Sequence, residues 1–194
     1  MSVTIRTLQK RKQDGEKFSV LTAYDACFSR LISEAGVDAI LVGDSLGNVI
    51  QGQSSTVPVT LEQMTYHTEC VARGNQGSMI IADVPFMGAA TLERALESST
   101  ALMQAGANMV NDVSGLRDPE MADLVLEQGC AVCVMHMQGE PGNMQQNPEY
   151  DDVHKEVYDS LKETAAALVE GGHEPGLICL DPGIGFGKSL THNL

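Results

Sequence analysis

The chain has no tryptophan, four phenylalanines and four tyrosines, and fewer than half as many basic residues (12) as acidic ones (26). The resulting net charge of −14 and pI near 4.5 exclude a phosphate-backbone partner and suit a solvated acidic surface. No apolar run approaches the roughly 18 residues of a membrane helix. Met1 to Lys12 is basic and polar with no apolar stretch behind it, so a signal peptide is not expected and the cytoplasm is the expected location. Cysteines are few and odd in number (27, 70, 130, 133 and 179). Cys130-Ala-Val-Cys133 has the C-x-x-C spacing but no second pair, and reads as two buried thiols entering a strand. What is present is glycine, 19 of them, which suits many strand–helix turns. At 194 residues, the length suits one domain or one and a half.

Taken in order, Thr4 to Gln13 reads as a short polar helix, and Phe18 to Asp25 as a first strand. Phe28, Leu31, Ile32 and Ala35 have helical spacing and predict a buried face, stopped by Gly36. Ala39 to Ser45 is a second strand; a Gly/Ser/Thr-rich loop over 47–59 and a helix near 60–73 follow. Met79 to Asp83 is a third strand, and the next helix is expected to bury Leu92, Ala95, Leu96, Leu102 and Met103. A small-residue turn at Ala105-Gly-Ala107 leads into a fourth strand closing on Asn111 and Asp112. Asp118-Pro119 is a helix start, Ala131 to Met137 a fifth strand, and Val153, Val157, Leu161, Ala165 and Leu168 mark a long amphipathic helix. Leu177 to Asp181 is a sixth strand, expected to lack a covering helix.

Six apolar strands alternating with helices imply a parallel sheet with right-handed crossovers. Asp25, Asp44, Asp83, Asn111, His136 and Asp181 each close a strand. Barrels build their sites from those ends, whereas an open sheet concentrates them at one switch point. The expected fold is therefore α/β of the (β/α)8 TIM-barrel type, incomplete, with about six βα units. Asp44 and Asp83 end neighbouring strands roughly 5 Å apart, where two carboxylates can share one Mg2+ or can each cap the segment that follows.

Leu21-Thr-Ala-Tyr-Asp25, Val42-Gly-Asp-Ser-Leu-Gly47, Gln51-Gly52, Thr56-Val-Pro-Val-Thr60, Tyr66-His-Thr68 and Ala82-Asp-Val-Pro-Phe-Met87 resemble ketopantoate hydroxymethyltransferase (3-methyl-2-oxobutanoate hydroxymethyltransferase) over residues 1 to about 110. The resemblance implies that Asp44 and Asp83 ligate Mg2+, and that Ser45 with the same aspartates contacts the 2-oxo acid. Methylenetetrahydrofolate would be the one-carbon co-substrate. The fourth strand departs from that family, which has Lys and Glu where this chain has Asn111 and Val113. Losing a cation opposite a substrate carboxylate weakens binding.

From about residue 107 onward, Asn111-Asp-Val-Ser-Gly-Leu116, Val134-Met-His-Met-Gln-Gly139, Tyr150-Asp-Asp-Val153 and Leu180-Asp-Pro-Gly-Ile-Gly-Phe-Gly-Lys188 with Thr191-His-Asn193 resemble dihydropteroate synthase. That resemblance implies pterin contacts at Asn111 and Asp181 and ring packing by Met135. Gly185 and Phe186 would lie near p-aminobenzoate, and a pterin diphosphate would be the alternative substrate. Gly183 to Ser189 is not a Walker loop, because Pro182 stands where that spacing needs glycine. The histidines at 67, 136, 154, 173 and 192 show no metal-ligand spacing and read as capping or solvated.

The expectation is thus one partial barrel in two halves, 1–108 hydroxymethyltransferase-like and 109–194 pterin-binding. It is a transferase on small molecules, with Mg2+-dependent hydroxymethyl transfer to 3-methyl-2-oxobutanoate in pantothenate biosynthesis ranked first. Dihydropteroate synthesis in folate biosynthesis comes second, and a chimeric barrel fragment without turnover is the non-enzyme alternative. Residues acting as catalytic acid or base are left unassigned. Six strands are two short of a closed barrel, so edge-to-edge association or a homo-oligomer is expected.

Overall fold

The computed structural model describes residues 2–112, 115–116, 119–129, 131–139 and 143–194. Val113, Cys130 and the expected helix cap Asp118 lie outside them. The chain forms two compact units, 1–111 and 112–194.

In the first unit, helix α1 (Ile5–Gln13) starts at a capping box between Thr4 and Thr7. Strand β1 (Val20–Thr22), α2 (Ala26–Glu34), β2 (Ala39–Val42), the short α3 (Leu46–Val49), α4 (Leu61–Gly74), β3 (Met79–Asp83), α5 (Leu92–Gln104) and β4 (Met109–Asp112) follow. All pairings are parallel: Leu21 faces Ile40, Ile40 faces Ile80, Ala82 faces Val110, and Asp83 faces Asn111. β2 and β3 are apolar at nearly every position because both their faces are covered. Ile40, Val42, Ile80 and Ala82 form the core with Leu46, Met64, Val71 and Leu102. Helices α2 and α4 meet at Gly74, where any Cβ would strike the Ala26 carbonyl. There the buried Ser29 hydroxyl donates to the Val71 carbonyl at 2.7 Å.

Several expectations are corrected in this unit. Phe28 and Leu31 are 62% and 52% exposed, and Ala35 is exposed too, so α2 buries only Ser29 fully and Ile32 in part. Leu96 and Met103 of α5 are exposed, while Ala95 and Leu102 are buried. Helical spacing marks a stripe, but the width of the covering sheet decides how much of it is buried. Asp25 does not point a free carboxylate from a strand end. It caps α2, accepting from the Cys27 and Phe28 amides at 2.8 and 2.9 Å. The loop expected over 47–59 opens with α3.

The second unit contains α6 (Pro119–Gln128), β5 (Val132–Met135), α7 (Val153–Glu170), a 3-10 turn (Pro175–Leu177), β6 (Ile178–Asp181) and α8 (Leu190–Asn193). β5 is buried throughout and pairs in parallel with β6, Met135 opposite Asp181. Asp152 caps α7, which buries Val157, Leu161 and Leu168. β6 is open, in line with the expectation of a strand short of cover: Cys179 and Leu180 are exposed. Cys133 is buried as expected, whereas Cys27 is exposed.

Candidate functional site

At the carboxyl ends of β1 to β4, Tyr24, Asp44, Ser45, Asp83 and Asn111 converge. The parallel register sets Asp83 beside Asn111, and the Asn111 side-chain amide donates to Asp83 Oδ1 at 2.7 Å. Asp83 Oδ2 accepts the Asp44 backbone N–H at 3.0 Å. Both Asp83 and Asn111 are buried, at 5% and 8% exposure. A carboxylate that accepts two N–H groups is held in one orientation, and its two oxygens can still accept further partners. Asp44 is half-buried, and burial pushes its carboxyl above the usual aspartate range, opposed by a hydrogen bond with Thr56.

The Tyr24 hydroxyl lies 2.8 Å from Ser45 Oγ. Its phenol is pushed up by burial first, against the Ser45 hydrogen bond, with the charges of Asp83 and Asp44 adding to the rise. Tyr24 is itself held from behind: His67 Nδ1 donates to its carbonyl at 2.8 Å. At Gly43, a Cβ would meet Ser45 Oγ at 2.8 Å and Asp83 Oδ2 at 3.2 Å, so glycine is what lets serine and carboxylate draw together. Tyr24, Gly43 and Thr56 all lie in the motifs quoted above. Their roles depend on partners at least a dozen residues away, or on a side chain glycine does not have, and no local spacing reveals those.

The donor set suits a hard divalent cation: two carboxylates at neighbouring strand ends, one of them pushed up by burial, and a carboxamide beside Asp83. Asn111 Oδ1 is buried and has no hydrogen-bond partner among the described residues. Among those residues, no group of three or more His, Cys, Asp or Glu is placed to hold a metal, so any cation here rests on two carboxylates and neutral oxygens.

The second unit gathers the other predicted residues. Asp181 Oδ1 accepts the Gly183 amide at 2.8 Å, and His136 N donates to the Asp181 carbonyl at 2.9 Å. Met135 is buried, Phe186 half-buried and Gly185 exposed. Gly185 is clamped by Asn193 Oδ1 on its N–H, at 2.8 Å, and by the Gln145 side chain on its carbonyl. Lys188, only 4% exposed, closes this loop. Its Nζ reaches His136 Nδ1, Gly183 O and Phe186 O, each at 3.0 Å. Burial pulls its pKa down, with Asp181 opposing. Lys188 is therefore a buried strut, a role its place in a glycine-rich run does not announce.

Parallel strands alternating with helices, with acids and amides at the strands' carboxyl ends, define an enzyme of the (β/α)8-barrel type. Solved structures agree. Dihydropteroate synthase from Stenotrophomonas maltophilia, with active site-bound imidazole, superposes with a TM-score of 0.69 at 28% identity, covering 91% of this chain and 64% of that one. The enzyme from Thermus thermophilus in complex with 4-aminobenzoate gives 0.65 at 30% identity, covering 91% and 63%. The chain belongs to the ketopantoate hydroxymethyltransferase family, whose family model matches residues 2–176. It is 76% identical over 137 residues to the 3-methyl-2-oxobutanoate hydroxymethyltransferase of Alcanivorax borkumensis, covering 71% of this chain and 52% of that relative. The Marinobacter nauticus relative of the same name is 53% identical over 133 residues, covering 69% and 50%. The chain thus spans about half the length of the curated relatives it matches. No described helix is long and apolar enough to cross a membrane.

Proposed function

We propose that the first unit carries the hydroxymethyltransferase chemistry of its family: transfer of a one-carbon unit from methylenetetrahydrofolate to 3-methyl-2-oxobutanoate, a step of pantothenate biosynthesis, dependent on Mg2+. The observation that supports it is the convergence of Asp44, Ser45 and Asp83 with Tyr24 and Asn111 at the strand ends. Asp44 and Asp83 would hold the cation, which when bound polarises the keto group and acidifies the adjacent C–H. The chain's own residues bind and orient. Ser45 offers a hydroxyl to the oxo acid, with Tyr24 setting its direction, while the Asp44 amide keeps the Asp83 carboxylate turned for use.

The second unit favours one further reading. Asp181, aligned with the buried Met135 and followed by the clamped Gly185-Phe186 loop, offers a carboxylate that can accept two N–H groups of a pterin edge. Dihydropteroate synthesis from a pterin diphosphate is the activity that follows from this.

The test supplies purified protein and Mg2+ with each substrate pair in turn, product being followed by mass spectrometry. Hydroxymethylated oxo acid is expected, lost in Asp83→Asn. Product from the pterin pair alone would transfer the function to the second unit. The family's lysine is absent at Asn111. At saturating Mg2+, Asn111→Lys is therefore expected to lower the KM for the oxo acid roughly tenfold, the gain from one charge-assisted contact.

A further inference from the structure

We infer that Asn111 is a third protein ligand of the divalent cation, presenting its side-chain oxygen beside Asp44 and Asp83 after a half-turn of its carboxamide. The inference rests on the cation site proposed above and adds a residue that the metal pair does not include.

Three observations carry it. The first is the buried, unpartnered oxygen. Asn111 is 8% exposed and its Oδ1 has no hydrogen-bond partner among the described residues, although buried carbonyl oxygens are almost always paired. An oxygen left so does nothing to hold the carboxamide in its present orientation, and a small hard cation prefers oxygen.

The second is distance. Asn111 Nδ2 lies 2.7 Å from Asp83 Oδ1. A carboxamide has nearly the same shape at its nitrogen and oxygen ends, so a half-turn about Cβ–Cγ exchanges them at little steric cost. Two oxygens ligating one Mg2+ at about 2.1 Å in an octahedron lie about 3 Å apart along an edge, close to the separation these two groups already have. Without a cation, two facing oxygens would repel, and the amide presents its N–H instead. With one, the oxygen end is the favoured end. The turn gives up the single hydrogen bond from Nδ2 to Asp83 Oδ1, which a shared cation replaces.

The third is how firmly the backbone is held. Asp83 and Asn111 are register partners on neighbouring strands, and the Val84 amide donates to the Asn111 carbonyl at 2.9 Å. The two side chains therefore stay paired while the amide turns. Asparagine brings a neutral oxygen to this position. The chemistry selected is that of Mg2+ or Mn2+, small cations content with two carboxylates, a carbonyl and water.

The test titrates the whole chain with Mn2+ by electron paramagnetic resonance, comparing wild type with Asn111→Leu, Asn111→Asp and Asp83→Asn, each checked for cooperative thermal unfolding. One Mn2+ per chain is expected. Asn111→Leu, similar in size but lacking the oxygen, should raise the Kd roughly tenfold, as removal of a ligand does, while Asn111→Asp should bind at least as tightly as wild type. Asp83→Asn should bind far more weakly still. Unchanged affinity in Asn111→Leu beside weakened binding in Asp83→Asn overturns the role of Asn111 and leaves the aspartate pair standing. Equal affinity in all four proteins overturns the pair and this inference together. A direct readout needs no variant: the Asn111 13Cγ resonance should move on adding Mg2+ to the wild-type protein. A resonance that stays in place at saturation overturns the inference even if Asn111→Leu fails to fold.

Discussion

Asp44 illustrates how a single carboxyl links the site to stability. Burial raises its folded pKa above the 3.8 of an ordinary aspartate. A proton is then held more tightly by the folded than by the unfolded chain, so the Asp44 contribution is full below pH 3.8 and is lost as pH rises through the raised folded value. Asparagine cannot ionise. Thermal unfolding in EDTA should therefore give matching midpoints for wild type and Asp44→Asn in acid, with the variant melting higher above that window. Parallel curves would mean that the Asp44 environment does not resist its charge. Lys188 makes the complementary case in the second unit. Its Nζ serves the carbonyls of Gly183, Phe186 and His136 and the His136 ring, so Lys188→Met takes the donor from four buried or half-buried acceptors. A loss of about 3 kcal/mol in urea unfolding is expected, without change in Mn2+ binding by the first unit.

Helix caps and strand edges set the behaviour of the elements. Helix α4 begins at a reciprocal capping box, with the Thr60 hydroxyl accepting from the Gln63 amide at 3.3 Å and the Gln63 side chain accepting from the Thr60 amide at 3.0 Å. Its burial of Met64, Thr68 and Val71 supplies the packing, and the cap sets where the helix starts. Thr60→Ala should cost about 1 kcal/mol by chemical denaturation, and Thr60→Ser should restore most of it. By contrast β1 is three residues long and exposed along its length, pairing with β2. Its neighbour is buried because covered on both faces; β1 lies at the sheet's edge.

For the molecule as a whole, exposed apolar strand surface is the property with consequences. Val20 and Leu21 on β1 are 43% and 50% exposed, and Leu180 on β6 is 46% exposed. Strands of this kind template pairing with a second chain unless charge or cover protects them. Association is therefore expected at micromolar concentration. A charge of −14 opposes it at low ionic strength, so added salt should favour it. Size-exclusion chromatography with light scattering measures this, and Leu21→Lys should reduce it. A wild-type peak at 20.7 kDa, unmoved by salt, would show the edges to be protected.

Much of this was legible in the residues alone. The apolar runs of β2 and β3, the helix near 60–73, the amphipathic period of α7 and the neighbouring strand ends of Asp44 and Asp83 are local patterns, and local patterns survive without knowledge of the fold. The motifs over the first 110 residues also carried the family. Tertiary structure decided the rest. Whether Phe28 and Leu31 are covered depends on what packs beside α2, and Asp25 became a cap because the chain turned into a helix directly after it. Asn111 meets Asp83 across 28 residues of chain, and Lys188 meets His136 across 52. Spacing along a chain records the period of one element. Only the register between strands, set by hydrogen bonds and burial acting over the whole unit, determines which polar side chains become each other's partners.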